Sequence, residues 1–441
     1  MPHVPRLKPL WSSRCSRGAR SVAVALAALG LSAPVADARW SAPSVLVSGD
    51  DAGLLGTTVR SDGSLRAAIA DGPRSIALGL VDITSPPRFS DPLIVLRSPV
   101  QTSGVVLAAD GSGVALTLKS GKGSSSLVPF NAGGTAGPPV ATDDIGSFSA
   151  IATSPAGSAV AAWVRKSAAG LEVVAAFRAA GSGTFGAPVR AGYTTSADTL
   201  VQAGIGDRGE AVVTWQPNGF PSAVAAAVRL PGAGFSKATY VTRQGSLVQL
   251  AVGPGGQAIL AASTDRRMRV SVKRPGAATM PPVRTVDKAG AGSESSVAAG
   301  GDRQVAATWN ASRTQRSDQR VRVYAGVTAT GVHRIGTVGK NAQDALVAVG
   351  SNGDVAVGWS IDLPALRGDP TARSRFAVSY RRAGKRFETP VLRGPVALSS
   401  TPESLQVVPG GRAYALYEAY ESGDDRTRPA FRRVYLSERT P

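Results

Sequence analysis

Apolar residues in this chain come in short runs, cut by clusters of Gly, Pro, Asp and Ser. After the first 38 residues no stretch keeps the i, i+3, i+4 spacing of an amphipathic helix, so the chain reads as all-β. One phrase recurs: a Gly-containing turn, a run of small apolar residues, then usually a Trp. It reads Gly157-Ser-Ala-Val-Ala-Ala-Trp163, Gly209-Glu-Ala-Val-Val-Thr-Trp215 and Gly353-Asp-Val-Ala-Val-Gly-Trp359, with Asp302-Arg-Gln-Val-Ala-Ala-Thr-Trp309 as a polar variant. The copy around Trp359 predicts four strands. They are Ala345 to Gly350, Asp354 to Trp359, Arg375 to Arg381 and Phe387 to Leu392, with a tight Asn-Gly turn at Ser351-Asn352-Gly353.

The last position of the second strand aligns at Ile69, Thr117, Trp163, Trp215, Ala262, Trp309, Trp359 and Tyr417, a repeat of 46 to 58 residues. Eight copies of a four-stranded unit of that length predict a β-propeller of eight blades. Seven is the alternative if the copy ending at Thr117 or Ala262 falls short of a blade. The fourth strand carries an aromatic followed by Pro, as in Phe89-Ser-Asp-Pro92, Phe185-Gly-Ala-Pro188 and Phe387-Glu-Thr-Pro390. Trp40-Ser-Ala-Pro43 repeats that signature near the N-terminus, whereas the last copy has three strands. The N-terminal strand is therefore expected to complete the last blade and close the ring, leaving no open sheet edge. Blades packed face to face bury their inner strands on both sides. This accounts for the continuous small apolar runs and gives the Trp a packing role between blades.

Residues 1–38 read as an export signal, which makes 39–441 one propeller domain in a secreted or extracytoplasmic protein. Arg6, Lys8, Arg14, Arg17 and Arg20 precede an apolar run from Ser21 to Ala33, too short to span a bilayer. Ala36-Asp37-Ala38 fits cleavage after Ala38. Past that point no apolar segment of membrane-spanning length follows. The single Cys, Cys15, precedes the apolar run, so disulfides and thiolate chemistry are excluded from 39–441. His333 is the one histidine there, which excludes a site needing two His ligands. No cofactor or metal is expected.

The formal charge is +19 and uneven. From Arg39 to Ser263 there are 16 basic and 13 acidic residues, and from Thr264 to Pro441 there are 28 and 16. On an exported protein this favours an anionic envelope polymer or surface over nucleic acid as the partner. Basic clusters at Arg381-Arg382 with Lys385-Arg386, and at Arg432-Arg433, are assigned to a solvated outer rim. An acid recurs just before the innermost strand, at Asp51, Asp144, Asp198, Glu294, Asp344 and Glu403. The longest insertions, Asn310 to Gln319, Ser360 to Ser374 and Glu418 to Pro429, are read as second-to-third loops on the same face. Acids and loops at one channel mouth make those six residues the candidate ligand-binding set. No P-loop, EF-hand, GxSxG elbow or dinucleotide fingerprint occurs, and no catalytic residue is assigned.

The Gly-x-Ala-Val-Val-x-Trp phrase and the four-strand period resemble those of exported bacterial β-propellers loosely grouped with sialidase-like repeats. The likeness implies the architecture. The Ser-x-Asp-x-Gly-x-x-Trp box and the Arg triad of sialidases have no match in this chain, so it does not imply their activity. The expected function is a non-catalytic, monomeric binding module for a glycan, an anionic envelope polymer or a protein. The alternative is a carbohydrate-active hydrolase or lyase working through loop carboxylates.

Overall fold

The recurring phrase begins with a turn that only its glycine makes easily. Gly157, Gly209 and Gly353 have φ of 93°, 81° and 84°, in the left-handed region. In blade 7 the Gly353 N–H donates to the Gly350 carbonyl at 3.1 Å and the Gly350 N–H to the Asp354 carbonyl at 2.9 Å. These bonds enclose Ser351, Asn352 and Gly353, the turn expected from the sequence, closed by a left-handed glycine. It delivers the small apolar run as the second strand of a blade.

The computed structural model describes residues 40–48, 53–71, 77–97, 101–118, 125–144, 149–218, 222–264, 267–287, 291–301, 304–313, 316–325, 328–329, 331, 333–335, 342–363, 373–421 and 431–441. Every regular element among them is a β-strand. The strands form eight antiparallel blades in a ring, each ordered as a meander. The innermost strands of blades 1 to 3 are Gly53–Val59, Gln101–Leu107 and Ala150–Thr153. That of blade 4 is Val201–Ile205, and blade 5 takes the second half of Thr239–Val252. Blades 6 to 8 begin with Ala291–Ala299, Ala342–Val349 and Ser399–Val408. Thr239–Val252 serves as the outer strand of blade 4 before it enters blade 5, so these two blades share one seven-stranded sheet. All eight aligned positions fall in second strands, including Thr117 and Ala262, and this settles the count at eight.

The N-terminal strand closes the ring. Ser44–Ser48 pairs antiparallel with Phe431–Arg439, and Trp40 bridges Arg439. The aromatic-Pro signature proves to lie just before the fourth strand. Phe387 precedes Val391–Ala397, and Phe89 precedes Leu93–Arg97. Proline cannot donate to the ladder, so pairing resumes beyond it. The aromatic itself tucks against an inter-blade core.

Eight apolar clusters hold the described residues together, each spanning two successive blades. Trp163 lies between blades 2 and 3, Trp215 between 3 and 4, Trp309 between 5 and 6, and Trp359 between 6 and 7. Tyr417 stacks on Phe376 at 4.5 Å between blades 7 and 8. The four Trp side chains are almost wholly buried, which matches the packing role read from the sequence. The expected long loop Asn310 to Gln319 is mostly an extended hairpin. Gln304–Arg313 and Arg316–Ala325 pair out to Arg313 opposite Arg316.

Candidate functional site

Each innermost strand is hydrogen-bonded to the second strand of its blade and turns its other edge toward a central channel. In six blades a β-bulge interrupts this strand within one residue of the aligned position. The breaks in register fall around Leu55, Ser103, Leu247, Glu294, Asp344 and Glu403. A bulge places an extra residue opposite one partner and re-aims its side chain. Three of the six sequence candidates thus sit at these bulges. Asp344 has φ of 50°, a left-handed value that Asp tolerates better than most residues.

The candidates differ in their surroundings. Asp51 lies outside the described residues, as does the side chain of Glu294. Asp144 accepts a hydrogen bond from Ser149 Oγ and its backbone bridges Arg165, so it is built into the start of blade 3. Its neighbour Asp143 takes the indole N–H of Trp163 at 2.6 Å. Asp287 does the same for Trp309 at 3.0 Å while also holding Arg320 at 2.6 Å. Asp198 is exposed ahead of blade 4. Asp344 is half-buried, and burial, then the Asp362 carboxylate, pushes its carboxyl up.

Glu403 lines the channel itself. Its cavity of about 490 Å³ is walled by Leu54, Leu55, Val105, Val106, Leu107, Ile151 and Leu250, with Thr57, Ser404 and Gln406 on the seam between blades 8 and 1. Thr57 and Ser404 share a hydrogen bond of 2.5 Å across that seam, and Gln406 Nε2 donates to Thr57 Oγ1 at 3.0 Å. Glu403 is exposed to water at the mouth, while the protein crowded around it removes part of the hydration of its charge. That desolvation pushes its carboxyl up to about 7. The Glu418 carboxylate adds to the effect, Arg432 opposes it, and Asp344 adds again. Glu418 is itself raised by burial, against Arg432 at 3.0 Å. The fold therefore gathers Asp344, Glu403 and Glu418 in the sector of blades 7 and 8, away from Asp144 and Asp198. Glu418, Ser404, Gln406 and Thr57 were missed from sequence. The one signal available was the place of Glu418, directly after the aligned Tyr417.

Of the basic clusters expected on a solvated rim, Arg382, Lys385, Arg386 and Arg432 are exposed, Arg433 is half-buried and Arg381 is buried; other cations turn inward. The last residue of the third strand is Arg178, Arg229, Lys273, Arg381 or Arg439 in five blades. Four of these donate to the carbonyl of the left-handed turn glycine of their own blade. Arg178 reaches Gly157 at 3.2 Å, Arg229 reaches Gly209 at 3.1 Å, Lys273 reaches Gly256 at 2.9 Å, and Arg439 reaches Gly411. A carbonyl walled in between blades needs a donor, and a long cation supplies one. Arg381 is buried, with its guanidinium 5.8 Å from the Phe387 ring centre. Arg432 and Arg433 pair with Glu418 and Glu421. Part of the positive excess is thus structural.

No family model matches the chain, and no curated protein matches it. Among solved structures it is similar to the Dos1 propeller, at 9% identity over 89% of this chain and 93% of that one, with a TM-score of 0.49. It is similar to a prolyl endopeptidase at 12% identity over 86% of this chain, with a TM-score of 0.46, and spans 55% of that protein's length. It is also similar to the Aleuria aurantia lectin in complex with α-methyl-L-fucoside, at 12% identity over 66% of this chain and 93% of that one, with a TM-score of 0.35. At these identities the likeness concerns the propeller fold alone.

Proposed function

We propose that this protein is an exported, non-catalytic binding module whose ligand enters the central channel at the mouth bearing Glu403. The observation that carries this reading is the cavity itself. It is concave, bordered by aliphatic residues of the innermost strands and furnished with convergent polar groups, Glu403, Thr57, Ser404 and Gln406. Of the ligand classes expected from sequence, a glycan, an anionic envelope polymer or a protein, this mouth favours groups that are neutral or positive. Asp344, Glu403 and Glu418 would repel an anion there. Export rests on the signal read in residues 1–38, and sequencing the N-terminus of the secreted protein should find Arg39 first.

Binding of neutral, amino-bearing and anionic glycans and of peptides to the full chain tests the reading. Saturable binding that Glu403→Gln weakens about tenfold or more is expected, the loss of one charged hydrogen bond. Binding indifferent to both Glu403→Gln and Glu418→Gln would sink it. The raised Glu403 carboxyl beside a second carboxylate favours one alternative, a carbohydrate-active enzyme with Glu403 as general acid or base. Glycan turnover that vanishes in Glu403→Gln would establish it instead.

A further inference from the structure

The channel has two unlike ends. The cavity at Glu403 and a second of about 600 Å³ share Thr153 and Gln406, so they form one lumen. The second cavity opens at the tight turns and is lined there by Arg60, Arg412 and Asp62. Asp62 is engaged by Ser64, whose Oγ and N–H donate to it at 2.6 and 2.9 Å and hold its carboxyl below the usual range. Arg60 reaches Asp82 at 3.3 Å, but that carboxylate already takes Nε and Nη2 of Arg66 at 2.6 and 2.8 Å. Arg412 donates to the Gly63 carbonyl at 3.3 Å, a neutral acceptor. Two guanidiniums against one carboxylate leave this end positive. Glu403, Glu418 and Asp344 against Arg432 leave the other negative.

We infer that the lumen binds a short apolar peptide with free ends, lying extended, its ammonium at Glu403 and its carboxylate at Arg60 and Arg412. This rests on the binding reading above and narrows its ligand to a peptide. Length is the first support. Glu403 and Val408 lie five steps apart on one strand, roughly 16 Å at the usual rise, which about five extended residues span. The wall is the second. Leu54, Ile151 and Leu250 are partly exposed at the lumen while packing on the inter-blade clusters, so small apolar side chains can rest between polar strand edges. Trp163, Trp215, Trp309 and Trp359 are packed between blades, and the exposed Tyr193, Tyr240 and Tyr420 are not among the residues lining the lumen. Third, the innermost strands turn a backbone edge to the lumen, and an extended peptide can use such an edge while charged groups capture its ends. A reversed peptide would meet like charge at both ends, which fixes direction by repulsion.

Calorimetric titration of the full chain with a five-residue Ala/Val peptide, free-ended, N-acetylated or C-amidated, tests the assignment. The free peptide should bind saturably, and each blocking group should weaken it at least tenfold. Glu403→Gln should erase the acetylation penalty and keep the amidation penalty. Arg412→Met should do the converse, with Arg60→Gln as the second variant because Arg412 also supports the Gly63 turn. Equal affinity for free and blocked peptides overturns the inference, as do penalties unmoved by these variants. Neutral oligosaccharide binding without peptide binding overturns the peptide assignment and keeps the binding module. Glycan turnover lost in Glu403→Gln, with no peptide binding, overturns both.

Discussion

Lys273 shows how single residues in this fold are committed to their neighbours. Its side chain is fully buried, and burial pulls its ammonium below the usual lysine range against the opposing pull of Glu210. It donates to Glu210, to the Gly256 carbonyl at 2.9 Å and to the Arg274 carbonyl at 3.0 Å, joining blade 5 to blade 4. Lys273→Met should cost about 3–5 kcal/mol, because Glu210 is then left buried without its counter-charge. Lys273→Met with Glu210→Met should recover most of that loss, read from unfolding midpoints in denaturant. Recovery of nothing would mean that the carbonyl contacts, and not the ion pair, set the cost. Trp359 is wholly buried and fills space between blades 6 and 7. Trp359→Ala should cost about 3–5 kcal/mol by the same measurement, through the cavity it leaves.

At the scale of elements, the bulge decides where chemistry can lie. Sequence placed the acids ahead of the innermost strands, and the structure puts Glu294, Asp344 and Glu403 at breaks within them. A break in register belongs to two strands at once, so the pattern along either strand alone does not disclose it. The raised carboxyl of Glu403 has a consequence for stability. Its ordinary value is 4.5 and its folded value about 7, so between these the folded state binds more protons than the unfolded one. Its contribution is full below pH 4.5 and is lost as pH rises through 7. Glu418 and Asp344, also raised, act in the same direction, and Arg432 faces the group as the opposing charge. Thermal midpoints should therefore fall from pH 5 to pH 8, and Glu403→Gln should flatten the decline. Water access at the mouth keeps the effect small. An unchanged slope in the variant would remove Glu403 as its source.

At the scale of the whole molecule, stability depends on closing the ring. Ser44–Ser48 supplies the last strand of blade 8, and Trp40 is buried with Tyr380, Tyr417 and Tyr435. Removing residues 1–48 should lower stability by at least about 5 kcal/mol, from the buried Trp40, Leu46 and Val47. It should also expose the edge of Phe431–Arg439, so the truncated chain is expected to self-associate in sedimentation. A monomeric product with an unchanged midpoint would show that the seam contributes little. The repeat, the blade number, the closing strand and the burial of the Trp positions were all legible in the sequence. They follow from local periodicity, turn chemistry and the need to bury an apolar run, which every copy states again. The lumen was not legible. Which acids share a sector, which cations turn inward to a glycine carbonyl, and which residues line the channel depend on partners up to seven blades away in sequence. Thr57 meets Ser404 and Gln406 only because the ring closes blade 8 on blade 1. Repetition along the chain determined the scaffold, and closure in three dimensions determined the site, because a channel belongs to all the blades and to no single copy of the repeat.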